Sequence, residues 1–188
     1  FFGAAWLSLV SGAALTRYAQ LVHLPPFGFG LLAALGFAAA LAQVASSYFL
    51  ERFGHHKTLF LVAGVTHRGM WIGIALVPWV FPQAWWWPGF LFLKFAIESI
   101  NNLNGPVWYT WMADLVPRRI RGRFFSRRNQ AGLVVQLTTT LLLGGVLDWA
   151  MVRGDTFLLK TISLVFTVAA ICGMIDFLFF VKVPPPVA

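Results

Sequence analysis

Apolar positions in this chain run in long blocks, without the alternation of a half-buried strand and without the polar face of a surface helix. Six blocks reach the roughly 20 mostly apolar residues that a membrane-crossing helix needs. They lie near 1–22, 28–50, 58–80, 88–115, 129–151 and 157–181. Short breaks divide them: HLPPFG, ERFGHHK, FPQAWWWPG, the arginine-rich stretch after Asp114, and VRGD. In lipid every backbone polar group must bond internally, which leaves helices or a closed barrel. Barrel strands alternate apolar and polar residues, whereas LLAALGFAAALA (residues 31–42) is apolar all round. The pattern predicts an all-α membrane protein with six transmembrane helices. Gly105-Pro106 predicts a kink in the fourth, and the small residues of the second (Gly28, Gly30, Gly36, Ala38–Ala40) suit close helix packing.

Composition agrees. The chain is 59% apolar and 11% charged, far below the roughly 25% charge of a soluble domain. Its one cysteine, Cys172, sits in an apolar run and reads as a small hydrophobe. The chain opens Phe-Phe with no charged leader and no cleavage site, so its start is expected to be missing and the sequence to be a fragment.

Charge then assigns sides. Six arginines (Arg118, Arg119, Arg121, Arg123, Arg127, Arg128) fall within eleven positions. With Arg52, Lys57 and Lys182 they place nine cations on one face, against Arg17, Arg153 and Lys160 on the other. Basic short loops stay cytoplasmic, so both ends of the chain are expected inside, in the cell (inner) membrane. Trp85–Trp87 then sit at the outer interface, which suits indoles. The arginine run is expected to be a cytoplasmic loop touching anionic headgroups at about 1 kcal/mol per cation. Nucleic acid is not an expected partner, because no soluble basic module accompanies the run.

Two loops carry a resemblance. SSYFLERFGHHK follows the second block, and Asp114, Pro117, Arg121 and Gly122 follow one another at the end of the fourth. The first is similar to the Gly-x-x-x-Asp-Arg-x-Gly-Arg-Arg/Lys loop of the major facilitator superfamily, with Ser47, Glu51 and His55 departing from it. The second is similar to that superfamily's Asp-hydrophobic-x-Pro ending followed by Arg-Gly. Lys94 falls where its fourth helix often carries an arginine. The resemblance spans the whole chain and implies the N-terminal six-helix half of a transporter, with a second half missing. It implies alternating access, a small-molecule substrate and coupling to an ion or proton, with no cofactor and no metal. By resemblance Glu51, Arg52, Gly54, Asp114, Arg121 and Gly122 form a cytoplasmic gate; their other reading is that they only fix topology.

Ionisable residues inside the blocks mark the candidate path, since a mid-membrane charge costs at least about 2.5–3.5 kcal/mol. Arg68 lies beside His67 in the third block, and Lys94 and Glu98 are one turn apart in the fourth. Asn101, Asn102 and Asn104 follow. Lys94, Glu98, Asn101 and Gly105 share a helical stripe, which reads as a cavity wall or as structural glue between helices. Arg17, near the outer end of the first block, either snorkels or joins Lys94. The nearest cation to Glu98 is expected to be Lys94 or Arg68. The fifth block lacks the Gly-Pro step of the superfamily's drug–proton antiporters. A membrane enzyme is disfavoured, for no nucleophile motif, phosphate loop or zinc spacing is present. A non-transporting scaffold gains little from buried charge.

Overall fold

The computed structural model of the chain describes residues 2–41, 43 and 56–183, without the side chains of residues 56, 106, 107 and 109–114. The described residues are all helical, in the order α1 (Phe2–Val10), α2 (Gly12–Leu21), α3 (Pro26–Ala40), α4 (His56–Val80), a short 3-10 turn (Gln83–Trp85), α5 (Trp86–Leu115), α6 (Arg118–Met151) and α7 (Asp155–Phe180). Among the described residues three helical stretches are long and apolar enough to cross a membrane: Lys57–Val80, Arg118–Met151 and Asp155–Phe180. Large apolar side chains such as Phe27, Phe37, Leu142 and Val152 are exposed, as suits a lipid solvent.

In the remaining blocks local chemistry sets the element bounds, and the second block beyond residue 41 lies, residue 43 apart, outside the described residues. The first block is two helices. Gly12 takes φ +58, a left-handed conformation that glycine adopts at little cost. Beside it the Ser11 hydroxyl donates to the Leu7 carbonyl at 2.5 Å, competing with the helical ladder. α3 starts where Pro25 and Pro26 allow, at a first turn that needs no proline N–H. α5 has the length to span, but Lys94, Glu98 and the asparagines lower its mean hydropathy. It continues through Gly105-Pro106 without interruption.

The arginine run is not a loop. α6 begins at Arg118 and continues for 34 residues to Met151, about 51 Å at 1.5 Å per residue, against a hydrocarbon core of about 30 Å. Its basic first turns therefore extend past the apolar span. Aromatic contacts hold them to α5: Arg128 lies 4.6 Å from the Trp108 ring centroid, and Phe125 packs edge-on to the same ring.

α4 is the central helix, packed against α5 on one side and α7 on the other. α1 lies against α7 and α6, and α3 against α5. The main core gathers Tyr18, Trp71, Ile74, Phe90, Ile162 and Phe166, all nearly inaccessible. Pro78, inside α4, has no N–H to bond the carbonyl four residues earlier, that of Ile74. The Tyr18 hydroxyl donates to that same carbonyl. A buried tyrosine needs a partner, and the proline provides one. A second, smaller cluster forms around Phe60 and Phe177, joined by Phe180 and Trp108.

Candidate functional site

Between α1, α4, α5 and α7 the helices bury a string of polar and aromatic side chains. It begins on α5, where Lys94 pairs with Glu98 one turn on. Lys94 is only 9% exposed, and its Nζ lies 5.3 Å from the Trp71 ring centroid. Trp71 meets Trp6 edge-on at 6.2 Å. The Arg68 guanidinium lies over the other partner of this pair, 3.2 Å from the Trp6 centroid, with Phe177 at 5.6 Å. The His67 ring also meets Trp6, at 5.2 Å.

The glycines of α1 and α7 make the room for Arg68. A Cβ on Gly173 would stand 2.7 Å from Arg68 Cδ and 3.0 Å from Trp6 Cδ1. A Cβ on Gly3 would meet Asp176 Oδ2 at 3.1 Å and Arg68 Nη2 at 4.0 Å. The carboxylate and the guanidinium thus border one small space beside Gly3, yet no ion pair within 4 Å joins them. Arg68 Nε and Nη1 are buried without an acceptor, as are the indole N–H groups of Trp6 and Trp71. Unbonded buried donors cost roughly 1–3 kcal/mol each. A guanidinium held by a ring face and facing an unpaired carboxylate has a second partner within a side-chain movement.

Several of the path residues come together here and others do not. Lys94 and Glu98 pair with each other, and Arg68 turns to Trp6 and Asp176. Asn102 Nδ2 donates to the Glu98 carbonyl at 2.9 Å, while Asn101 is exposed. Asn104 Oδ1 is buried without a partner. Arg17 is not part of the cluster; its Nη1 donates to Gln20 Oε1 at 3.0 Å, in a separate cleft at the end of the bundle where α2 finishes.

Of the proposed gate, Glu51, Arg52 and Gly54 lie outside the described residues, as does the side chain of Asp114. Arg121 donates through Nε and Nη2 to the Val116 carbonyl at 3.3 and 3.2 Å, which closes the turn between α5 and α6. Gly122 is exposed, with nothing near its missing Cβ.

Asp176, Trp6 and Trp71 were not among the candidates read from sequence. Asp176 had a signal: it is the one carboxylate within the apolar body of the last block, three residues from Gly173 on the same helical face. The tryptophans had none, being two among nine. Compared with protein-family models, with curated proteins and with solved structures, the chain gives no match.

Proposed function

We propose that this chain is a six-helix half of a secondary active transporter that moves a small solute by alternating access, coupled to a proton or another ion. The reading rests on one observation, the interior string Lys94–Trp71–Trp6–Arg68 with a carboxylate at either end, Glu98 and Asp176. Four ionisable groups among apolar helices are costly in a membrane and mark pathways and relays. A scaffold has no use for them.

The chemistry is an exchange of partners. Arg68 rests on Trp6 while two of its nitrogens lack acceptors. When Asp176 is ionised, its charge draws the guanidinium off the ring; when a proton or substrate cation occupies Asp176, that attraction ends. Glu98 already holds Lys94 in an ion pair, and the Trp71 and Trp6 rings connect that pair to Arg68. The break at Ser11–Gly12 supports the same view. Irregular backbone at membrane depth is tolerated beside protein or a water-filled cavity, and Gly12 is exposed here. The resemblance of the two loops to the major facilitator superfamily adds the expectation of a second half, of both ends lying in the cytoplasm and of residence in the cell membrane.

The test is flux in proteoliposomes carrying the whole protein, under imposed proton or sodium gradients, for wild type, Glu98→Gln and Asp176→Asn. Retained folding with at least a tenfold loss of gradient-driven flux is the expected result for both variants. Absence of flux from the wild type under every gradient, or unchanged flux in both variants, overturns the reading.

A further inference from the structure

The end of the bundle remote from Arg118–Arg128 carries a second site. α2 and α4 finish there, α5 and α7 begin there, and the four ends surround an open cleft of about 620 Å³. That volume is in the range of small-molecule sites, about 300–1,000 Å³.

Its walls carry both signs of charge, unpaired with each other. Arg17 stands on α2 and Asp155 in the first turn of α7. Both line the cleft, yet no ion pair within 4 Å joins them; Arg17 bonds Gln20 instead. Asp155 sits at a helix N-terminus, where the backbone dipole favours its negative charge. Between them lie aromatic surfaces. The Trp86 indole N–H is tied to the Phe81 carbonyl at 2.9 Å, which fixes the ring. His23 stacks on Trp86 at 6.2 Å with the rings 3° from parallel. His23 holds φ 59, the one non-glycine positive φ among the described residues, because it caps the end of α2: its N–H bonds the Gln20 carbonyl and the Leu24 N–H bonds the Ala19 carbonyl, both at 3.0 Å. The cap leaves the His23 imidazole among the residues that line the cleft.

We infer that this cleft binds a small zwitterion, its anionic group on Arg17, its ammonium on Asp155, and its apolar part against Trp79 and Trp86. A purely anionic ligand leaves Asp155 repelling it, and a purely cationic one does the same with Arg17. The indole faces add cation–π attraction for the ammonium, worth about 0.5–1 kcal/mol at exposed sites. The same chemistry belongs to a free amino acid and to an ethanolamine phospholipid headgroup. This inference deepens the transporter reading by naming a substrate class and a place of first contact. It does not require that flux be observed.

Binding to the whole protein in detergent, followed by tryptophan fluorescence and calorimetry, tests it. The probes are leucine, its amide (a cation), 4-methylpentanoate (an anion) and the short-chain lipid dihexanoylphosphatidylethanolamine. Saturable binding of leucine or of the lipid, at least tenfold tighter than the amide and the anion, is expected. It should weaken at least tenfold in both Arg17→Gln and Asp155→Asn. Preference between leucine and the lipid identifies the source. Binding of the anion or the cation alone, binding indifferent to both substitutions, or no saturable binding of any probe overturns the inference. Zwitterion binding without flux would retain this site and remove the transporter reading; flux without zwitterion binding would do the reverse.

Discussion

The Tyr18 hydroxyl bonds the one α4 carbonyl that Pro78 deprives of its helical partner, that of Ile74. A defect in one helix is thereby a docking point for another. The bond lies in the main core, where Tyr18 also packs against Phe90 and Phe166 at 5.4 and 5.3 Å.

Tyr18→Phe should therefore destabilise the fold by about 1–3 kcal/mol, the range for a buried acceptor left unmade. With Pro78→Ala already in place, the new N–H at position 78 can serve Ile74, and Tyr18→Phe should then cost less. A double-mutant cycle of unfolding in mixed micelles reads the coupling. Equal costs in the two backgrounds would show that the proline and the tyrosine act independently.

At Gly64 the Phe177 ring occupies the space a Cβ would need. Gly64→Ala should cost about 1–3 kcal/mol by overpacking, and Phe177→Leu added to it should recover part of that loss. Thermal unfolding of the two single variants and the double decides; a double variant no better than Gly64→Ala would contradict the contact.

Lys94→Met leaves Glu98 without its ion partner. Breaking one side of a fully buried pair costs about 3–5 kcal/mol while replacing both sides is often near neutral; with the Glu98 side chain 26% exposed the cost here should fall below that range. Lys94→Met with Glu98→Gln should thus be more stable than Lys94→Met alone. The reverse order would mean that water, and not Lys94, solvates Glu98.

Topology can be read by labelling. In a Cys172→Ser background, Gln83→Cys should react with a membrane-impermeant maleimide added to intact cells. Ser126→Cys, on the exposed face of the basic turns of α6, should react only after the cells are opened. Exchanged reactivity would invert the expected orientation.

The positions of α4, α5 and α7 were legible within two residues because their ends coincide with abrupt changes of polarity, as at Lys57 and Asp155. The start of α6 was not. Arginine is a good helix former, and Pro117 ends one helix as readily as it begins the next, so charge density there gave no sign of a loop. The split of the first block turns on one backbone angle at Gly12, which no hydropathy pattern records. Within the site, Lys94 and Glu98 were legible from their spacing on one helix. The Arg68 arrangement was not, because Trp6, Gly173 and Asp176 come from the two ends of the chain. Only packing brings them together.

The first block is fixed at two points on opposite sides of Ser11–Gly12. Above the break Tyr18 is fastened to the α4 backbone, and below it Trp6 lies under the Arg68 guanidinium. With an unbroken helix, any tilt that lifted Trp6 from Arg68 would pull on Tyr18 as a rigid rod does. The interruption turns the rod into two levers sharing a joint. A shift of Trp6 around Arg68 would pass to the shared core through Trp71 and not along the helix to Tyr18.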